Sequence, residues 1–152
     1  EPGRGTSVRL FLPRSEEPPA PLGMSELPVM SENAETVLVV EDDNDVRESV
    51  LQRVEGLGYV AIEAASGSEA MLLLKTSTHV DLVFSDVSMP NMSGYDLAVW
   101  IFEHRPDVRV VLTSGHVGSA ERPAALGDRS IDVLLKPYDR LALATALSRA
   151  LH

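Results

Sequence analysis

The chain has 152 residues, 44% of them hydrophobic and 24% charged, with a formal net charge of -10. That length builds one ordinary globular domain with a short appendage, and the acidic balance argues against binding driven by nucleic-acid phosphates or anionic membranes. Cysteine is absent, which removes disulfide scaffolds, thiolate catalysis and cysteine-ligated metal, and fits a reducing, cytoplasmic setting.

In chain order, residues 6–12 alternate Val8, Leu10 and Leu12 against Ser7, Arg9 and Phe11, the pattern of a strand with one buried face. With no partner strand nearby, residues 1–14 are read as the edge of a preceding domain; the competing reading pairs them onto the following domain or a second copy of it. Residues 15–35, SEEPPAPLGMSELPVMSENAE, are rich in Pro, Ser and Glu and are expected to be a linker. No apolar stretch approaches the roughly 20 residues that span a bilayer, and no basic-then-apolar leader opens the chain, so no direct membrane contact is expected of it.

From Thr36 onward strand-like and helix-like segments alternate. Thr36 to Val40 is an apolar run that meets Glu41, Asp42 and Asp43. Val46, Val50 and Val54 then recur at i, i+4 and i+8, predicting an amphipathic helix up to Gly56. A weaker strand, Tyr59 to Glu63, precedes Ser66 and Glu69, an S-x-x-E capping box for a helix over 70–75. Asp81 to Ser85 runs into Asp86; Pro90, Asn91 and Gly94 form a loop, and a helix over 95–104 is closed by Pro106. Val108 to Leu112 runs into Thr113, and Gly118, Pro123 and Gly127 make 115–129 short or irregular. Ile131 to Leu135 runs into Lys136, and an Ala/Leu-rich helix over 140–151 follows. That helix is read as core, with a weak homodimer left open.

Five β-α repeats imply a parallel sheet with helices on both faces, because right-handed crossovers place them there. The runs VLVV, LVF, VVL and VLL are continuous rather than alternating, as strands covered on both faces require. In such a sheet the carboxyl ends of the strands share one crevice. Glu41, Asp42, Asp86, Thr113 and Lys136 would therefore converge there.

The first turn offers carboxylates instead of phosphate-cradling glycines. Asp43, Asn44 and Asp45 are read first as helix caps. Glu41 and Asp42, still at the strand end, would repel each other without a cation, and Mg²⁺ takes hard oxygen ligands of this kind. Asp86 is then the candidate nucleophile toward phosphorus, Lys136 the screening cation, and Thr113 a hydrogen-bond donor to a phosphoryl oxygen.

VLVVEDD, DLVFSDVSMPNMSG, VVLTSG and LLKP, in this order and spacing, resemble the receiver domain of two-component response regulators over residues 36–152. The resemblance implies a flavodoxin-like, doubly wound five-stranded (βα)5 fold. It implies Mg²⁺ held by Glu41, Asp42, Asp86 and the backbone carbonyl of Ser88, with Asp86 as phosphoacceptor. Thr113 and Lys136 are the implied phosphoryl-binding and switch residues, and the bond to Pro137 is implied to be cis. The implied phosphodonor is a histidine kinase or histidine phosphotransfer domain. The chain departs from many members at Val133, where an aromatic switch would stand.

Pro2-Gly-Arg-Gly5-Thr6 and the strand after it are similar to the last motif and final strand of a histidine-kinase ATP-binding domain. Residues 1–14 are accordingly expected to be the remnant of that domain, with no ATP site in this stretch, and the chain to be the C-terminal receiver of a hybrid histidine kinase. Two alternatives stand beside this: a receiver-like interaction module that is never phosphorylated, and a phosphatase of the haloacid dehalogenase type with Glu41 as nucleophile.

Overall fold

The central apolar runs become strands because each is sandwiched between two helical layers. The computed structural model describes residues 35–76, 79–115, 123–127 and 131–152. The elements are β1 (Thr36–Val40), α1 (Asn44–Glu55), β2 (Val60–Ala64), α2 (Gly67–Lys75), β3 (Leu82–Asp86), α3 (Gly94–His104), β4 (Arg109–Ser114), a 3-10 turn (Ala124–Leu126), β5 (Asp132–Leu135) and α4 (Arg140–Leu151). All strands are parallel, in the order β2-β1-β3-β4-β5. This is the flavodoxin-like arrangement. The expectations for 1–14 and 15–35 fall, apart from Glu35, outside the described residues.

Alternate residues of the central strands feed two cores. Val37 and Val39 of β1, Leu82 and Phe84 of β3 and Val111 of β4 pack with Val50 and Val54 of α1 and Leu143 and Leu147 of α4. Leu38, Val40, Val83 and Leu112 pack on the opposite face with Leu74 of α2 and Leu97 and Ile101 of α3. Every residue of β1 and β3 is buried. At about 25 cal/mol per Å² of apolar surface, each buried Val, Leu or Phe side chain among them stabilises the fold by roughly 1.5 to 3 kcal/mol relative to full exposure.

β5 departs from the expectation that its VLL run would be covered on both faces. Val133 and Leu135 are 41% and 47% exposed, and β5 is the sheet edge, pairing with β4 alone. Leu134, between them, points into the α1/α4 core. Of residues 115–129, expected to be short or irregular, 115 and 123–127 are described, with a 3-10 turn at Ala124–Leu126; the rest of that expectation lies outside the described residues.

Helix ends are set by side-chain caps. Asp43 Oδ1 accepts from the amides of Asp45 and Val46, both at 3.0 Å, so α1 begins immediately after the strand-end acids. α2 starts at Gly67, earlier than expected: Ser66 Oγ accepts from the Glu69 amide, but the Glu69 carboxylate accepts from Ala65 rather than from Ser66. The reciprocal capping box stands instead at α3, between Ser93 and Asp96. At the amino end of the sheet, His152 Nε2 lies 3.7 Å from Glu35 Oε1, so the first and last described residues meet.

Candidate functional site

The strand order reverses at β1: its connection leads to β2 on one side, and the next returns to β3 on the other. At such a switch point the loops after the two strands diverge and leave a crevice. Glu41 and Asp42 follow β1, and Asp86 closes β3. One carboxylate oxygen from each of Glu41, Asp42 and Asp86 lies within 4.8 Å of the others. Glu41 and Asp86 are buried and Asp42 is exposed.

Lys136 enters from β5, tied by its amide to the Ser114 carbonyl at 2.8 Å. Its ammonium lies 2.9 Å from Glu41 Oε2 and 3.3 Å from Asp86 Oδ2. The peptide bond to Pro137 is cis. Burial pushes the Glu41 carboxyl above its usual value of 4.5; the bond and charge of Lys136 pull it part of the way back, and the Asp86 charge adds to the rise. Burial alone would lower Lys136, but its bond to Glu41 and the charges of Asp86 and Glu41 hold it above the usual 10.5. One ammonium therefore faces more negative charge than it can neutralise.

Thr113 is the register partner of Asp86 across β3 and β4. It is buried within β4, not beyond its end, and its hydroxyl makes no hydrogen bond within 3.5 Å among the described residues, its neighbour being the Tyr138 hydroxyl, which interacts with it at longer range. A buried hydroxyl left unpaired costs about 1 to 3 kcal/mol. Ser88 lies exposed two residues past Asp86. Asp86 itself is held in place: Oδ1 accepts from the Val87 amide at 2.9 Å.

Several contacts around the site have no signal in the sequence, even where the residue itself, as with Gly94 in the loop after Asp86, is read from it. Gly94 opens α3 so close to β3 that a Cβ there would stand 2.3 Å from the Asp86 carbonyl oxygen, and its amide donates to the Val87 carbonyl at 3.0 Å. Arg47 donates to the Glu41 carbonyl, a bond foreshadowed only by its i+3 spacing from Asn44. Tyr138 packs edge-on against Phe84, ring centroids 6.0 Å apart at 87°, and burial raises its hydroxyl above the usual 10. Beside it, α1 and the turn after β5 enclose an open groove of about 410 Å³, lined by Val46, Ser49, Arg53, Pro137 and Tyr138 among others.

Hard oxygen donors, two of them buried, with excess negative charge, fit a small divalent cation such as Mg²⁺. A carboxylate nucleophile, an ammonium and an unpaired hydroxyl around that position are equipped to bind and exchange a phosphoryl group.

Comparison with known proteins gives the same direction. The family model described as the response regulator receiver domain matches residues 37–148. The chain is 34% identical to the sensor kinase CckA of Brucella abortus, the match covering 100% of the chain and 17% of that protein. It is 30% identical to the response regulator receiver protein CpdR of the same organism, covering 76% of the chain and 95% of CpdR. Among solved structures, the signal receiver domain of an HD domain-containing protein from Pseudomonas fluorescens Pf-5 superposes with a TM-score of 0.69 at 28% identity, covering 77% of this chain and 94% of that one. The receiver domain of a signal transduction histidine kinase from Syntrophus aciditrophicus gives 0.68 at 30% identity, covering 78% and 90%.

Proposed function

The chain belongs to the response regulator receiver domain family of two-component signalling, and on that premise we propose that it accepts a phosphoryl group on Asp86 with Mg²⁺ bound beside it. The observation that carries this reading is the convergence of Glu41, Asp42 and Asp86 within 4.8 Å, with Lys136 bonded to two of them. Glu41, Asp42, Asp86 and the Ser88 carbonyl would hold the ion. When bound, Mg²⁺ supplies positive charge against the oxygens of the transferring phosphoryl group.

The chain's own residues account for the rest. A carboxylate oxygen of Asp86 attacks phosphorus, and the P–N bond of a phosphohistidine breaks. The leaving imidazole keeps the bonding electron pair and takes a proton from solvent. The Val87 amide fixes the rotation of the Asp86 carboxylate, so the nucleophile needs little reorganisation. Lys136 moves its share of charge from Glu41 toward the new phosphoryl oxygens. The Thr113 hydroxyl donates to one of them and gains the close hydrogen bond it lacks; that gain biases the adjoining loop between two states.

A phosphohistidine-bearing kinase or phosphotransfer domain docks over the crevice, and the groove along α1 suits a helical partner. The match to a sensor kinase over the whole chain supports placement within a hybrid histidine kinase, and we propose a cytoplasmic location for this domain. No helix among the described residues is long and apolar enough to cross a membrane.

The test is intact-mass measurement after incubation with phosphoramidate and Mg²⁺. One phosphoryl adduct is expected, lost with EDTA and with Asp86→Asn. An adduct that survives Asp86→Asn and disappears with Glu41→Gln moves the nucleophile to Glu41. No adduct at all leaves an interaction module that is never phosphorylated.

A further inference from the structure

Arg47 lies in the second turn of α1, and helical side chains slant back toward the amino terminus, here toward the β1–α1 turn. Its guanidinium makes three bonds to three separate elements. Nη1 donates to the Glu41 carbonyl at 2.8 Å, Nη2 to Asn44 Oδ1 at 2.7 Å, and Nε to Glu63 Oε2 on β2 at 3.0 Å. The side chain is only 12% exposed. A planar fork that satisfies three acceptors at fixed angles sets their relative positions, which a lysine cannot do.

The segment so held is the one that carries two of the clustered carboxylates. Glu41 and Asp42 repel each other and Asp86, and Lys136 answers only part of that charge. Left to itself, the turn would relax by swinging its acids apart toward water. The bond to the Glu41 carbonyl opposes that motion from the backbone side, without using either carboxylate. We infer that Arg47 is a positioning residue for the cation site, clamping the Glu41–Asp42 turn in the shape that binds a divalent ion. This rests on the reading of that cluster as the Mg²⁺ site.

The sign of the effect separates positioning from simple charge. Arg47 is a cation near a cation site, so Coulomb's law alone makes its removal tighten Mg²⁺ binding. Loss of a clamp weakens it, typically by about 10- to 100-fold for groups that orient metal ligands. The experiment is calorimetric titration of the full chain with MgCl₂, alongside thermal unfolding in EDTA. Arg47→Met and Arg47→Lys are both expected to raise Kd about tenfold or more, and Glu63→Gln, which removes an exposed partner and leaves the carbonyl bond, to change it less than about twofold. Arg47→Lys keeps the charge and guards against a misfolded Met variant. A Kd that is unchanged or tighter in folded Arg47→Lys, with only the melting temperature lowered, overturns the positioning role and leaves Arg47 a structural clasp on β2. Wild-type protein that binds no Mg²⁺ at millimolar concentration overturns the metal-site reading together with this one.

Discussion

Lys136 is closer to Glu41 than to Asp86, 2.9 Å against 3.3 Å, so the ammonium makes its stronger bond to the acid proposed to hold the ion and not to the proposed acceptor. A cation that takes Glu41 must compete with it. Lys136→Met is therefore expected to tighten Mg²⁺ binding by about tenfold, the equivalent of roughly 1.4 kcal/mol, well within the attraction of two charges near a protein surface. The same variant should accept phosphoryl groups far more slowly. Calorimetry and the phosphoramidate mass assay read the two effects, and a weaker Mg²⁺ affinity would show that Lys136 shapes the site more than it competes for it.

Glu41 links the site to pH. Its folded value lies above the unfolded 4.5 because it is buried, so as pH falls the folded protein takes up this proton first. The stability tied to Glu41 is fully present below the unfolded value and is lost as pH rises through the folded one. In EDTA, the melting temperature of Glu41→Gln minus that of wild type should grow as pH is raised from 4 to 7. A difference that is flat, or shrinks, would mean that Lys136 fully compensates the buried charge.

Gly94→Ala should destabilise the fold although alanine is the better helix former. The new Cβ meets the Asp86 carbonyl, a backbone atom with no freedom to swing aside. Overpacking of this kind costs about 1 to 3 kcal/mol, against a propensity gain of about 1 kcal/mol at most. Urea unfolding with an unchanged slope and a lower midpoint is expected, together with slower phosphoryl acceptance as Asp86 is displaced.

Thr113→Val should leave stability unchanged or raise it by up to about 1 kcal/mol, since the hydroxyl it removes is buried with no hydrogen bond within 3.5 Å among the described residues. Phosphoryl acceptance on Asp86 should persist, while the proposed phosphorylation-dependent change in hydrogen exchange, read at the amides of β4, is lost. Marked destabilisation on urea unfolding would show that the hydroxyl is satisfied in the unphosphorylated protein.

Much of this was legible from strand ends. β1, β3 and β4 announce themselves as unbroken apolar runs because both of their faces are covered, and each run leads to a residue of the crevice. β5 reads the same way but is an edge, and nothing in VLL distinguishes a strand roofed on both sides from one with Val133 and Leu135 open. The box at Ser93 was hidden because Asp96 replaces the expected Glu and its shorter arm still reaches the Ser93 amide. Arg47 and Gly94 act through backbone carbonyls of residues that happen to pack nearby, and a side-chain pattern carries no trace of such partners. The position of Lys136 between two acids could be anticipated, but its preference for Glu41 could not.

The meeting of Glu35 and His152 has a practical side. The entry and exit of the folded unit sit together at the amino end of the sheet, while the acids, hydroxyl and ammonium all lie at the carboxyl end. Closely spaced ends of this kind are the geometry that lets a domain be inserted into a host loop. Dyes attached at positions 35 and 152 would report unfolding as these two ends separate.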